Sequence, residues 1–307
     1  MSSTVTSLPT ALAPIEPLRP ATDGVYRDGW VEVRAELGAP ARRSRDMVRT
    51  PHFDVVHDGP RVVLSHRLPA HRLDDDLSGL LADELFRPGW LRGAELFERL
   101  FTGVVLSSGP DPVACWSTFY ANTLQRVGAS LAVPPGGHAA HGTIVDYAPV
   151  YGFAESLLAP GSVLELGCSF GFLSLRLAAE RRVTASDLSP GTIAVLTDVA
   201  ARLGCDLETR VADAGRVPAP DGFADNVLAI HLLEHLDAPH GERVLREAVR
   251  LARRRVVIAV PLEDEADETW GHVRTLDLAD LDRWGRSSGV RHAVHDFHGG
   301  WLVLDLP

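Results

Sequence analysis

Three acids close three successive apolar runs: Glu165 in "SVLELG", Asp187 in "RVTASD" and Asp213 in "LETRVADA". A carboxylate at the end of a buried strand costs desolvation unless a donor or a positive ligand meets it. Asp187 stands 22 residues after Glu165, close to the interval at which an acid meets ribose hydroxyls. Asp213, followed by Ala214, can accept from an adenine amino group. Asp is also common after strands and as a helix cap. Three acids in succession point past capping to a nucleoside ligand.

Between the first two acids lies "ELGCSFG" (165–171). As Gly-x-Ser-x-Gly it is a nucleophile elbow, with Ser169 attacking and Asp264 or Asp280 and His298 completing a hydrolase order. As an acid followed by the small loop Gly167, Cys168, Ser169 and Gly171, it is a cofactor turn that lets backbone approach a ligand. Both readings predict strand, tight turn, helix. Glu165 is wrong for an elbow strand, and a hydrolase leaves Asp187 and Asp213 without a role. A helical region also stands where a hydrolase needs upstream strands. A dinucleotide fingerprint would need glycine at 172, where Phe172 stands, which disfavours NAD.

"HLLEHL" (231–236) gathers His231, Glu234 and His235. In the preferred reading His235 is a general base, with Glu234 fixing its tautomer and no metal required. In the alternative, Glu234, His235 and the later His272 hold a divalent cation, and such ligands suit Mn, Fe or Zn better than Mg. Packing and capping alone would also account for the pair.

The elements that must position these residues follow from periodicity. "FDVVHDGPRVVLSHRL" (53–68) is a hairpin around Asp58-Gly59. "DDDLSGLLADELF", "GAELFERLFTGVVLSS" and "DPVACWSTFYANTLQRVGASL" carry apolar residues at helical spacing. Residues 23–131 thus form an N-terminal α+β accessory or substrate region, after a mobile tail over 1–22. A glycine-rich linker, 132–142, opens the second domain (132–307). There a helix that Pro149 kinks or divides precedes strands alternating with helices, and the chain ends in an antiparallel hairpin. The fold class is α/β, a Rossmann-like doubly wound, mostly parallel sheet. Ligands then lie beyond the carboxyl ends of the strands.

The net charge of -11 weighs against a nucleic-acid partner. All 30 Lys+Arg residues are arginine, so Schiff-base and phosphate-loop lysine chemistry is excluded. Cys115, Cys168 and Cys205 form no C-x-x-C pair, which indicates neither a zinc knuckle nor a disulfide framework. The N-terminus is no secretory signal and no apolar run reaches the roughly 18 residues of a membrane span. A soluble cytoplasmic protein with no membrane partner is expected.

Residues 141–307 resemble class I S-adenosylmethionine-dependent methyltransferases, through "VLELGCSFGFLS", "VTASDLSP" and "ADAGRVPAPDGFADNVLAIHLLEHL". The resemblance implies S-adenosylmethionine as cofactor. Glu165, Gly167, Cys168, Ser169 and Gly171 would border its methionine end, Asp187 and Leu188 the ribose, and Asp213 and Ala214 the adenine. His231 would stand close to the sulfonium. Ser169 departs from the glycine of many members. Over 25–307 the chain also resembles the mycofactocin oligosaccharide methyltransferases, through "DDDLSGLLADELFRPGWLRGAELFERLFTGVV", "HGTIVDYAPVYGF", "HLLEHLDAPHG", "GHVRTLDL" and "FHGGWLVLDL". That family implies O-methylation of a glucose unit on a small glycosylated or glycopeptide acceptor. A sugar hydroxyl has a high pKa and needs a base or a metal. Tyr147, His272, His298 and Trp301 are the expected substrate contacts, with His138 and His141 closing over the cofactor. A quinol-like or natural-product acceptor is the alternative.

Overall fold

The computed structural model describes residues 13–36, 47–132, 142–267 and 270–307. Two compact units divide at Thr123 and Leu124. The expected boundary at 131/132 lies further on. The difference comes from one continuous helix, whose last turns pack with the second unit.

In the first unit, β1 (Val25–Arg27), β2 (Val31–Ala35), β3 (Val48–Arg49), β4 (Phe53–Asp58) and β5 (Arg61–His66) form one sheet in the order β1-β2-β5-β4-β3. The hairpin signal at Asp58-Gly59 holds: β4 and β5 pair antiparallel down to Asp58 opposite Arg61. Helices α1 (Asp76–Leu81), α2 (Ala94–Leu106) and α3 (Pro112–Leu131) follow, with a π-helical turn, Ala82–Phe86, extending α1. Asp111 starts α3, its Oδ1 accepting from the Val113 and Ala114 amides. Of the expected tail over 1–22, residues 1–12 lie outside the described residues and two carbonyls of the rest are tied down. The Pro17 carbonyl accepts from Trp116 Nε1 at 2.7 Å, and the Ala13 carbonyl from Arg99 at 2.6 Å.

The second unit opens with the end of α3 and with α4 (Thr143–Leu157), where Val127 packs against Ile144 and Ala148. Pro149 lies inside α4, which stays a single helix. Residues 133–141 of the expected linker, with His138 and His141, lie outside the described residues. Next come β6 (Val163–Leu166), α5 (Phe172–Leu177), β7 (Val183–Asp187), α6 (Pro190–Leu203), β8 (Leu207–Val211) and β9 (Ala224–Ile230). The chain continues through α7 (Ala238–Leu251), β10 (Ala252–Val260), α8 (Leu278–Ser288), β11 (Arg291–Asp296) and β12 (Gly300–Asp305). The seven strands run β11-β12-β10-β9-β6-β7-β8. β10, β9, β6, β7 and β8 are parallel neighbours, and β12 is antiparallel to both β10 and β11. This is the expected Rossmann-like sheet with its antiparallel end.

Strand alternation separates two cores. Leu164, Leu166, Val227, Ala229, Val256 and Ile258 face α7 and α8 through Val244, Ala248 and Trp284. Val163, Leu228, Val257 and Trp301 face α4 and α5 through Ala154, Leu173 and Leu177. The strand order reverses between β6 and β9, and ligands of such sheets bind beyond the carboxyl ends of the strands at that point. Among the described residues, no helix is long and apolar enough to cross a membrane.

In the first unit Arg99 has a side chain only 2% exposed, held by Asp28 at 2.7 Å and Glu95 at 2.8 Å. Asp28 also accepts from the Trp30 and Val31 amides. Removing one partner of a buried pair leaves a charge uncompensated. Asp28→Ala should therefore lose about 3 kcal/mol. Urea unfolding would read this as a lower midpoint with an unchanged slope.

Candidate active site

The loop after β6 is built by backbone conformation. Gly167, Ser169 and Gly171 have φ of 67°, 49° and 71°. A Cβ at Gly167 would lie 2.6 Å from Leu232 Cδ1, and one at Gly171 2.5 Å from Leu196 Cδ2. The glycines therefore let the loop settle onto two leucines, a packing reason beyond close approach to a ligand. Ser169 holds a left-handed conformation that disfavours any side chain. The Asp187 carboxylate fixes it: Oδ2 accepts from the Ser169 amide and Oδ1 from the Ser189 amide, each at 2.9 Å. Each oxygen keeps a lone pair for a ligand hydroxyl.

Glu165 works from beneath this loop. It is 4% exposed, and Ser174, in α5, donates to its Oε2. Burial pushes its carboxyl up to about 7, the Ser174 hydrogen bond opposes that, and the Asp187 charge adds to it. Cys168 is buried too. Desolvation, with Glu165 and Asp187, holds its thiol protonated, while its amide donates to the Ser186 carbonyl and its carbonyl accepts from the Gly171 amide. Leu188, directly after Asp187, is 67% exposed, an apolar surface beside the carboxylate.

Asp213 follows β8. Its Oδ1 accepts from the Gly215 amide at 2.8 Å and from His240 Nε2 at 2.7 Å, and the carboxyl is lowered by these bonds in that order. Ala214 packs against the α7-side core. His240 had no sequence signal, because it reaches Asp213 only through the start of α7. There Asp237 caps the helix by accepting from the His240 amide.

Beyond β9 the chain turns at His231, whose φ is 50° and whose amide donates to the Ala259 carbonyl. A 3₁₀ turn then carries Glu234 and His235. Glu234 is 1% exposed, and neither carboxyl oxygen makes a hydrogen bond. Burial pushes it up to about 8; the pull of its own backbone amide opposes this, Glu263 adds to it and Arg274 lowers it. Glu234 therefore does not orient His235. The Gly271 carbonyl does, 3.3 Å from His235 Nδ1. His272, expected as a substrate contact or a metal ligand, stands with its ring 4.9 Å from that of His235, and its Nδ1 lies 2.8 Å from Glu263 Oε2. Burial, then His272 and His235, pushes His231 down to about 4, so its imidazole is neutral. Glu263 was legible in principle: it follows β10 as the other acids follow their strands. Gly271 acts through a carbonyl, which no residue type announces.

The other substrate candidates divide. His298 is exposed in the β11–β12 turn at the carboxyl edge. Trp301 is not available to a substrate: it is 0% exposed in the core, and its Nε1 donates to the Phe297 carbonyl at 2.8 Å. The period of two along β12 turns 301 toward α4. Phe297, 40% exposed, is the aromatic at this rim. Tyr147 packs on Tyr151 and the Val127–Ile144 cluster. For the hydrolase reading, Asp280 is engaged in the α8 capping box with Asp277.

Residues 163–255 match the family described as a methyltransferase domain. Among curated proteins, ajmaline N-methyltransferase of Rauvolfia serpentina is 32% identical over 105 residues, covering 33% of this chain and 35% of that protein. The chain thus spans about a third of the length of this curated relative. Among solved structures, a SAM-dependent methyltransferase from Aquifex aeolicus is 19% identical with a TM-score of 0.42, over 51% of this chain and 87% of its own. Magnesium protoporphyrin IX methyltransferase from Synechocystis PCC 6803, with bound SAM, is 17% identical with a TM-score of 0.42, over 61% of this chain and 91% of its own. S-adenosylmethionine is the methyl donor that such a domain takes.

Two outcomes follow from the loop. The native Glu165 carboxyl titrates at about 7 against an ordinary 4.5, so the folded chain binds more protons in that window. This contribution to stability falls as pH rises from 4.5 to about 7. Glu165→Gln should flatten that part of the profile of melting temperature against pH. Ser169→Gly should leave cofactor affinity and folding intact, measured by calorimetry and thermal melting, because glycine accepts the left-handed backbone.

Proposed function

We propose that the chain transfers a methyl group from S-adenosylmethionine to a hydroxyl of a small glycosylated acceptor, a mycofactocin-type oligosaccharide by resemblance. The observation that carries this reading is the Asp187 carboxylate, which ties the Gly167–Gly171 loop to the start of α6 within a matched methyltransferase domain. The bound sulfonium supplies an activated methyl group and a neutral thioether leaving group. What the chain must do is bind, align and move a proton.

Asp187 would receive the ribose hydroxyls, Leu188 would cover the base, and Asp213 Oδ2 would accept from the adenine amino group. His231 and the loop would border the reacting end. His235 Nδ1–H points at the Gly271 carbonyl, which leaves the Nε2 lone pair as a proton acceptor. Burial and the neighbouring His272 lower its pKa, so the lone pair is present at neutral pH. As the acceptor oxygen takes the methyl group, Nε2 takes the hydroxyl proton and returns it to water. Exposed His298 and Phe297 offer a hydrogen bond and an aromatic face to a sugar ring at the same edge of the sheet. A nitrogen acceptor on another small molecule is the second reading, favoured by the ajmaline N-methyltransferase match.

Asp187→Ala should abolish binding of S-adenosylmethionine in calorimetry. His235→Ala should retain binding and lose roughly 10²–10⁴ in turnover; full activity would remove His235 from the mechanism. Mass spectrometry of extracts from cells with and without the protein identifies the acceptor. A missing increment of about 14 daltons on one oligosaccharide supports the sugar. The same loss on an amine, with glycans unchanged, refutes it.

A further inference from the structure

We infer that Glu234, His235 and His272 form a binding site for one divalent transition-metal cation beyond the carboxyl end of β9. One ligand atom from each lies within 4.8 Å of the other two. Three further observations point to a ligand. First, Glu234 is 1% exposed and both its carboxyl oxygens are buried without a hydrogen bond. A buried polar group left unmet costs about 1–3 kcal/mol, and a cation would meet both oxygens. Second, each histidine is already oriented through Nδ1: His235 toward the Gly271 carbonyl at 3.3 Å, His272 toward Glu263 Oε2 at 2.8 Å. Both Nε2 lone pairs are left for a ligand, and metal-binding histidines show this outer arrangement, a carbonyl or carboxylate behind the ring. Third, His231 Nε2 is buried without a hydrogen bond, and His231 Nδ1 lies 4.0 Å from Glu234 Oε1. A fourth nitrogen therefore borders the cluster.

Nitrogen and carboxylate ligands stand about 2.0–2.2 Å from zinc, so the three side chains would draw together around a bound ion. Two imidazoles and one carboxylate favour Zn, Mn, Fe or Co over Mg. Three protein ligands leave a position open, as catalytic sites do. Arg274 is the cationic group nearest in sequence; its Nε donates to the Leu233 carbonyl at 3.0 Å. The inference rests on the methyl-transfer reading only for what the cation would do. Without the cation, His235 Nε2 accepts the hydroxyl proton as described above; with the cation held by Nε2, an acceptor hydroxyl at the open position would lose its proton to water more readily.

The test uses the full chain, stripped with a chelator and titrated separately with Zn²⁺, Mn²⁺ and Mg²⁺ by calorimetry, and with Co²⁺ by visible absorption. One Zn²⁺ or Mn²⁺ per chain is expected, bound at least roughly tenfold more tightly than Mg²⁺. Affinity should fall at least tenfold in Glu234→Gln and in His272→Ala. Glu263→Gln, which touches no ligand atom of the cation, should lose roughly 10–100-fold. Unchanged S-adenosylmethionine affinity in His272→Ala, with cation binding lost, supports the site in a folded chain. Absence of stoichiometric binding, or equal binding in all variants, overturns it. Stoichiometric binding that the variants lose supports the site even if no acceptor is ever methylated.

Discussion

The cofactor edge hangs on one carboxylate. Asp187 holds the Ser169 amide with one oxygen and the Ser189 amide with the other, so the loop after β6 and the first turn of α6 are fixed to the same side chain. Hydrogen bonds to an ionised acceptor are about twice as strong as neutral ones. That strength is needed here, because a left-handed residue with a side chain costs roughly 1–2 kcal/mol, and Ser169 is one. The same device recurs at the end of β9. His231 is left-handed as well and is anchored by its amide on Ala259. Two strained, tethered residues thus flank the point where the strand order reverses.

Burial works against charge on the groups along this edge. It pushes Glu165 up to about 7 and Glu234 up to about 8, and His231 down to about 4. Ionising either acid within the apolar wall is favoured only as a positive partner approaches. The proposed sulfonium and cation would each bring one. Asp187 and Asp213 are only half-buried and are met by amides and by His240.

Much of this was legible before any coordinates. Alternating apolar strands and amphipathic helices gave the doubly wound sheet, because each strand of a covered parallel sheet must be apolar on both faces. The acids were legible because a carboxylate at a strand end is costly and so stands out. What escaped was everything carried by backbone or by tertiary approach: the Gly271 carbonyl behind His235, His240 against Asp213, and Ser174 under Glu165. Trp301 was misread because residue type suggested a sugar platform while the period of β12 turned the ring inward. Pro149 suggested a break, yet α4 runs on. The tail looked mobile by composition, although single carbonyls at 13 and 17 anchor it to Arg99 and Trp116.

The turn between β11 and β12 sets how this rim can change. Gly299 has φ of 129°, and a Cβ there would lie 2.7 Å from the Val260 carbonyl oxygen. That atom belongs to the end of β10 and cannot step aside as a side chain would. Position 299 is therefore closed to variation, while Phe297 and His298 beside it are exposed, the Phe297 ring leaning on Phe153 and the His298 ring on Phe297. A change at 297 is felt by both ring neighbours, and a change at 298 must also accept a left-handed backbone, φ 48°. Variation at this rim is therefore coupled, one ring to the next, around a fixed hinge.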